Sequence, residues 1–481
     1  MKNINSPHRI SFSLPKLLVF FCLAIFILTL RVSYITAAYS LYISKLIICL
    51  EAAGISILVI VLAYIANKYL SRLQFITALC ILAFCVRLIW ITTIPTPVES
   101  DFLIMYNGAL HAAKGDYAFA QQPYFTTWVY QLGFTMYESL IIKLFGAGTI
   151  ALKSLNILYC TGLTVLTYLI ASKVFNEWCG RIAGIMYALN ISNILYGSVL
   201  TSQHLAVFLF YLTCYLLIAK FSTNNYSWIF IGITLTLGDI IRPLGYFFLI
   251  AIAIYILLKV LLEMDKTNRI NATKRLFGVI IVFYLFHSII SYSFIAAGVT
   301  QYPLNDRDPL WKFVLGLNHE TFGIYSQADE NRIMSIENIN QRQHEEWNII
   351  KERTDDKIDL LQLFYMKFTI MWGSVDGSGE WSLSTLKELE LERNLMKHEC
   401  LIYISAMLFG IIGLVSLISK NNASFQYTLL LLLIIGYVLV HLLIEIQTRY
   451  RYEIIPSFTV VQSYGVYITY KYLQKICIRN T

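Results

Sequence analysis

The fold is decided by LLVFFCLAIFILTLRVSYIT, residues 17–36, a run of twenty residues with a single charge at Arg31. An α-helix rises 1.5 Å per residue, so a run of this length crosses a bilayer core of about 30 Å. Eleven further apolar runs follow, near residues 43–66, 73–94, 149–172, 180–198, 204–220, 226–241, 243–262, 276–297, 400–419, 425–445 and 453–470. The sequence therefore predicts an all-α polytopic membrane protein with about twelve transmembrane helices.

The composition supports this class and excludes others. Hydrophobic residues make up 57% of the 481 residues and charged residues only 14%, whereas soluble domains contain about 25% charged residues. The net charge of +8 comes from basic residues in short clusters between apolar runs, which indicates membrane topology and no nucleic-acid partner. None of the nine cysteines forms a CxxC pair, so neither a zinc site nor a disulfide framework is predicted.

The basic clusters also predict the topology. The basic residues in the connections at 68–72, 173–181, 220, 266–275 and 420 and in the tail at 471–479 can all be cytoplasmic if the N-terminus is cytoplasmic and the short run 127–145 does not cross. We therefore expect 127–145 to form an amphipathic helix at the outer interface. The first exterior loop is then 95–148, within a transmembrane module 73–297. A mostly helical exterior cap follows at 298–399, and the chain ends with transmembrane helices and a cytoplasmic tail in 400–481.

The first exterior loop begins PVESDFLIMYNGALHAAKGDY, residues 97–117. Asp101 follows the end of a span by only a few residues, so its carboxylate is expected near the membrane surface. There it can reach both a lipid-borne substrate and an acceptor in water. Glu99 and Asp116 are nearby alternatives, and Tyr106 is a further candidate for substrate binding. A structural alternative is that Asp101 caps the helix that follows.

Three arginines are candidates for binding a phosphate, because the planar guanidinium binds oxyanions in two places. Arg242 lies in LGDIIRPLGYF, residues 237–247, in a very short exterior connection. Its alternative role is an ion pair with Asp239. Arg449 and Arg451 lie in IEIQTRYRYEIIPSF, residues 444–458, on the side that usually lacks basic residues. Their alternative role is to anchor lipid headgroups.

Two weaker groups of polar residues also face the exterior in this topology. Gln203 and His204 lie in SVLTSQHLAVF, residues 198–208, where a helix start capped by Ser202 is the alternative. Asn318 and His319 lie in WKFVLGLNHETFG within the 298–399 segment. Each of these side chains could hydrogen-bond a substrate.

In this order, the motifs resemble those of the C-type polytopic glycosyltransferases that use polyprenyl-phosphate sugars. The similarity is to the branch that contains the protein O-mannosyltransferases and the lipid A aminoarabinose transferase. It covers residues 73–470, so that 1–72 adds a cytoplasmic tail and two further N-terminal helices. The resemblance implies that Asp101 is the catalytic base and that the three arginines bind the lipid phosphate. Gln203 stands where many members carry a second acidic residue, so no cofactor is assigned and a divalent metal stays open.

The resemblance implies a function at the outer face of a membrane. Richness in Ile, Asn, Lys and Tyr is compatible with an AT-rich bacterial genome, so a bacterial plasma membrane is the expected location and the endoplasmic reticulum is the alternative. The expected activity is inverting transfer of a sugar from a polyprenyl phosphate to a hydroxyl of a protein, lipid or cell-envelope glycan. The identity of the acceptor is left open. Two other functions are compatible with the sequence: a transporter or flippase for a lipid-linked or anionic solute, and a polysaccharide polymerase or ligase.

Overall fold

The computed structural model describes residues 7–386, 389–419 and 425–479, and over these ranges the chain is helical and contains no β-strand. The chain first forms α1 (Pro7–Ile35), α2 (Lys45–Tyr69) and α3 (Arg72–Thr93). The segment 95–148 holds α4 (Ser100–Ala112), α5 (Pro123–Thr127) and α6 (Gln131–Phe145). The bundle continues with α7 (Thr149–Val174), α8 (Glu177–Ala188), α9 (Ile191–Tyr196), α10 (Gln203–Lys220), α11 (Ser227–Ile241), α12 (Gly245–Glu263) and α13 (Lys266–Ala296).

The remaining helices form a second long insertion and the end of the bundle. The segment 298–399 contains α14 (Trp311–Gly316), α15 (Gln327–Met334), α16 (Ile339–Thr354), α17 (Lys357–Phe368), α18 (Ser378–Leu383) and the start of the next helix. The last three helices are α19 (Leu389–Ser419), α20 (Tyr427–Leu443) and α21 (Ile455–Arg479). A short 3₁₀ helix, Thr448–Glu453, connects α20 to α21.

Eight of the described helices are long and apolar enough to cross a membrane, namely α1, α2, α3, α7, α10, α12, α13 and α19. Two shorter helices, α11 and α20, are also apolar. Large apolar side chains point outward from these helices, such as Leu58 on α2 and Phe277 on α13, which are 55% and 61% exposed. Lipid chains rather than water suit such surfaces. The chain is thus a helical multi-pass membrane protein.

One predicted span is wrong in detail. Residues 180–198 were expected to form a single helix, but the structure divides this run into α8 and α9. The break occurs at Asn190, whose side-chain oxygen accepts a hydrogen bond from the backbone N–H of Asn193 and so caps α9. An Asn side chain competes with the helical backbone in this way wherever it begins a new helix.

Close helix contacts depend on glycines. A Cβ atom at Gly465 of α21 would lie 1.7 Å from the carbonyl oxygen of Phe409 in α19, so these two helices touch backbone to backbone. In the same way, a Cβ at Gly133 would lie 1.8 Å from the carbonyl oxygen of Ile240. The prediction of a helix within 127–145 is confirmed by α6. Because residue 133 is a glycine, the backbone of α6 can contact the end of α11.

The segments 95–148 and 298–399 meet at one end of the bundle. Trp128 forms an isolated β-bridge with Asp306, and Arg307 Nη1 donates a hydrogen bond to the Thr126 carbonyl at 2.8 Å. The second segment has a small apolar core of its own around Trp311. Further along, the buried Lys367 Nζ donates hydrogen bonds to three backbone carbonyls, which fasten α17 to α14 and to the end of α20.

Candidate functional site

The loop before α4 holds Asp101 in place. Thr96 in this loop is buried, its hydroxyl donates to Ser198 at 2.7 Å, and its carbonyl accepts from Lys153 Nζ at 2.7 Å. Ser100 then starts α4 with a φ of 54°, a value that non-glycine residues seldom adopt. The alternative in which Asp101 is a helix cap is not observed, because Glu99 is the N-cap residue and no side chain caps this end. The Asp101 carboxylate is instead open to a cavity.

This central cavity has a volume of about 710 Å³ and lies between 95–148, 298–399 and the connection from α20 to α21. Its aromatic lining residues are Tyr124, Trp128, Tyr130, Trp311, Tyr325, Trp381 and Tyr450. Its charged lining residues are Asp101, Lys312, Glu330, Glu380, Glu445 and Arg449. Aromatic faces and carboxylates suit a sugar ring with its hydroxyl groups, and the two cations suit an anionic group. The volume is that of an ordinary small-molecule site.

Arg449 reaches the cavity from the 3₁₀ helix. Its guanidinium carbon lies 4.6 Å from the ring centroid of Trp381 and 5.2 Å from that of Phe102. Its nitrogens donate hydrogen bonds to the Tyr196 hydroxyl and to the Gln447 side chain. No ion pair in the described part of the chain involves Arg449. Its positive charge is therefore held by neutral partners and faces the cavity.

Lys312 provides a second cation that the sequence analysis missed. Its ammonium forms an ion pair with the buried Glu445 carboxylate, and Gln447 Nε2 donates to the other Glu445 oxygen at 2.9 Å. Burial lowers the pKa of Lys312, but the Glu445 carboxylate more than offsets this and leaves the pKa raised. The pKa of Glu445 is lowered in turn, because Lys312 outweighs the effect of burial. A chain of polar contacts thus runs from Lys312 through Glu445 and Gln447 to Arg449.

The electrostatic environment of Asp101 suits a base. Desolvation by the cavity walls raises the pKa of Asp101 above its ordinary value, and the charges of Lys312 and Arg449 offset this only in part. A carboxylate with a raised pKa accepts a proton more readily. Asp101 also makes no hydrogen bond or ion pair within the described residues, so its oxygens are free to contact a ligand.

Arg242 lies one side chain away from the cavity. Its Nε is 2.8 Å from Glu453 Oε1, and its guanidinium carbon is 5.5 Å from the ring centroid of Tyr450, a cavity residue. The alternative ion pair with Asp239 is not formed. Asp239 accepts a hydrogen bond from the Gly245 backbone N–H at 2.8 Å instead. Arg242 therefore pairs with Glu453 and not with Asp239, the partner expected from the sequence.

Arg451 is placed away from the central cavity. It is 2% exposed, its Nε is 3.4 Å from Asp376 Oδ2, and its Nη2 donates to the Ser374 carbonyl at 2.9 Å. It lines a separate polar pocket of about 10 Å³, the Arg451 pocket, which it shares with Arg449 and Glu399.

Gln203 and His204 are also buried in the bundle. Gln203 Nε2 donates to Glu453 Oε1 at 2.8 Å, and His204 Nδ1 lies 2.8 Å from the Tyr452 hydroxyl. Ser202 is the N-cap residue of α10, as the alternative expected, but its hydroxyl makes no capping hydrogen bond to the helix. Both candidate side chains therefore have protein partners and do not line the central cavity.

The remaining candidates lie outside the central cavity as well. Asn318 is buried and donates to Asp329 Oδ2 at 2.6 Å, and His319 Nε2 lies 2.9 Å from the Arg353 carbonyl. Glu99 and Tyr106 are on or beside α4 but are not among the residues that line the cavity. Of the predicted site residues, the structure thus brings Asp101 and Arg449 together on one cavity.

Within the described residues, no group of three or more His, Cys, Asp or Glu side chains is arranged to hold a metal ion. Comparison of the chain with protein-family models gives no match, and comparison with curated protein sequences gives none either. The resemblance to the C-type glycosyltransferases therefore rests on the motifs alone.

Proposed function

We propose that the protein is a membrane glycosyltransferase that moves a sugar from a polyprenyl phosphate to an acceptor hydroxyl. The observation that carries the proposal is that the free carboxylate of Asp101 lines the same cavity as Arg449 and Lys312. A glycosyl transfer needs a base that takes the proton of the attacking hydroxyl and positive charge that stabilises the leaving phosphate. The base and the two cations around this one cavity can meet both needs.

The mechanism is a single displacement with inversion at the anomeric carbon. The acceptor hydroxyl gives its proton to Asp101 while its oxygen forms the new bond to the anomeric carbon. The bond from that carbon to the phosphate oxygen breaks, and its electron pair stays on the lipid phosphate. General-base catalysis of this kind contributes about 10²–10⁴-fold. Arg449 stabilises the charge that develops on the phosphate, and Lys312, whose charge is already paired with Glu445, contributes less.

Among the arginines, we assign the phosphate first to Arg449. The charge of Arg242 already faces Glu453, and that of Arg451 faces Asp376. A cation whose charge is neutralised within the protein attracts an incoming anion less strongly. Arg242 and Arg451 remain predicted phosphate ligands, but their ion pairs favour a supporting role for both.

We also propose that twelve helices cross the membrane. Besides the eight long apolar helices, these are α11, α20, α21 and one broken span that α8 and α9 form together. The segments 95–148 and 298–399 then lie together on the outer face, with 298–399 as a cap, because both line the central cavity. The site would face the exterior of the plasma membrane, where a lipid-linked donor and an external acceptor meet.

The test uses purified full-length protein in lipid with a panel of radiolabelled polyprenyl-phosphate sugars. Wild type should release or transfer the sugar from one donor, whereas Asp101→Asn should bind that donor and fail to turn it over. Asp355→Asn, which changes an exposed carboxylate on another part of the chain, serves as the matched control and should retain activity. If no donor is consumed but one is moved across a vesicle membrane, the protein is a transporter and the proposal is wrong.

A further inference from the structure

Helix α18 connects the two parts of the protein that carry Arg449 and Asp101. Trp381 of this helix lines the central cavity, and its ring centroid is 4.6 Å from the guanidinium carbon of Arg449. The same ring meets the ring of Phe102, the residue after Asp101, at a centroid distance of 5.3 Å. One short helix therefore contacts the cation and the start of α4, where the base lies.

Ser382 of α18 lies in a buried group of hydroxyls. The Thr96 hydroxyl, in the loop before α4, is 2.9 Å from the Ser382 carbonyl oxygen and 2.7 Å from the Ser198 hydroxyl. The Ser382 hydroxyl is 2.8 Å from that of Ser198 and accepts a hydrogen bond from Trp90 Nε1 at 2.9 Å. These contacts fasten the loop before α4 onto α18.

The start of α18 is fixed to the 3₁₀ helix that connects α20 to α21. The Gly377 backbone N–H, just before α18, donates a hydrogen bond to the Thr448 hydroxyl at 2.8 Å. Arg451 holds the preceding residues through the Ser374 carbonyl and the Asp376 carboxylate. Helix α18 is therefore bonded at its start to the helix that carries the cation, and at its end to the loop that leads to the base.

We propose that α18 holds Asp101 at a fixed position relative to Arg449, with Thr96 and Ser382 as positioning residues, an inference that rests on the proposed function. Neither Thr96 nor Ser382 lines the central cavity, so neither contacts a substrate there. A single displacement requires that the base, the attacking hydroxyl and the leaving phosphate are aligned. A misplacement of about 1 Å in such an arrangement costs about 10²-fold in rate.

The first test breaks the link at Thr96 and keeps the shape of the side chain. Thr96→Val removes the hydroxyl, whereas Thr96→Ser retains it and should preserve the function that valine loses. Thr93→Val is the matched control, because Thr93 is exposed and its hydroxyl donates to a carbonyl of its own helix. Each full-length variant is assayed in lipid with the radiolabelled polyprenyl-phosphate sugar that wild type consumes.

A positioning role predicts a loss of rate without a loss of donor binding. The start of α18 keeps its bonds to the 3₁₀ helix in Thr96→Val, so Arg449 stays in place and the affinity for the donor should be that of wild type. The kcat, counted per donor-binding molecule, should fall by about 10- to 100-fold. Thr96→Ser and Thr93→Val should keep the wild-type kcat.

Two results of this test would overturn the inference. A purely structural role of Thr96 would lower the amount of folded protein and leave kcat per donor-binding molecule unchanged. Equal losses of kcat in Thr96→Val and Thr96→Ser would show that the hydroxyl is not what positions the base.

A second measurement determines whether Thr96 and Ser382 act through the same link. Ser382→Ala removes the hydroxyl that Trp90 and Ser198 contact. Residues that act through one network have non-additive effects. The double variant Thr96→Val with Ser382→Ala should therefore lose no more activity than the more severe single variant. Losses that multiply in the double variant would contradict a shared link.

The failure of this inference can be distinguished from that of the proposed function. If transfer by wild type depends on Asp101 but Thr96→Val retains the wild-type kcat, only the role of α18 is wrong. If wild type binds the polyprenyl-phosphate sugar and never consumes it, the proposed function fails, and the inference fails with it.

Discussion

Removing the Glu453 carboxylate should strongly destabilise the fold. Glu453 is 1% exposed and accepts three contacts at 2.8 Å, from Arg242 Nε, Gln203 Nε2 and the Tyr437 hydroxyl. Breaking a buried ion pair costs about 3–5 kcal/mol, and Arg242 keeps 21% of its side chain exposed, which places the cost near the lower value. The two neutral donors add about 1 kcal/mol each. We expect Glu453→Ala to lower the free energy of unfolding by about 5 kcal/mol.

The assay is denaturant unfolding of the purified protein in mixed micelles, followed by tryptophan fluorescence. The matched control is Glu345→Ala, since Glu345 pairs with the exposed Arg332 and a surface pair contributes about 0–1 kcal/mol. The double variant Arg242→Met with Glu453→Ala should recover part of the loss, because no charge is left unpaired. If Glu453→Ala costs no more than Glu345→Ala, the argument that Glu453 holds Arg242 in place is refuted.

Two further predictions concern the base and the packing. Replacing Lys312 by Gln removes a positive charge that lowers the pKa of Asp101, so the carboxylate stays protonated to a higher pH. The acid limb of the kcat/KM profile should therefore move to higher pH. An acid limb that stays in place or moves to lower pH contradicts the assignment of Asp101 as the base. Gly465→Ala places a methyl group against the Phe409 carbonyl and should cost about 1–3 kcal/mol in unfolding free energy. Gly54→Ala, which meets no neighbour within 4 Å, should instead be neutral or stabilising, and equal effects of the two changes would count against the close helix contact.

The helices were predictable because apolar length is a strong local signal. Runs such as 43–66 and 73–94 agree with α2 and α3 to within about three residues at each end. The break at Asn190 was not predicted, since the apolar run continues through it and the cap depends on one side chain. Hydropathy indicates whether a segment favours an apolar environment. The point at which a helix ends depends on individual hydrogen bonds, which hydropathy does not report.

Residues of the candidate site could be predicted only where a charged side chain lies next to an apolar run or among aromatic residues. Asp101 follows the end of a span by only a few residues, and Arg449 lies among aromatic residues next to an apolar helix, so the sequence singles out both. Lys312 stands in a segment of mixed charge, where one lysine carries no signal of its own. Glu445 could have been found, because it is a lone carboxylate between an apolar helix and an arginine-rich turn. Its pairing with Lys312 joins residues 133 positions apart, which no local pattern encodes.

The different environments of Arg449 and Arg451 follow from the local backbone and from distant carboxylates. Both lie in the 3₁₀ helix Thr448–Glu453, which has about three residues per turn, so residues two apart point to different sides. The sequence treats the two arginines alike, but Asp376 meets only Arg451. Arg449 meets aromatic rings and neutral oxygens, which hold the guanidinium without neutralising its charge. An anion that enters the central cavity therefore finds its strongest unpaired attraction at Arg449, in the same cavity as the base that the proposed reaction requires.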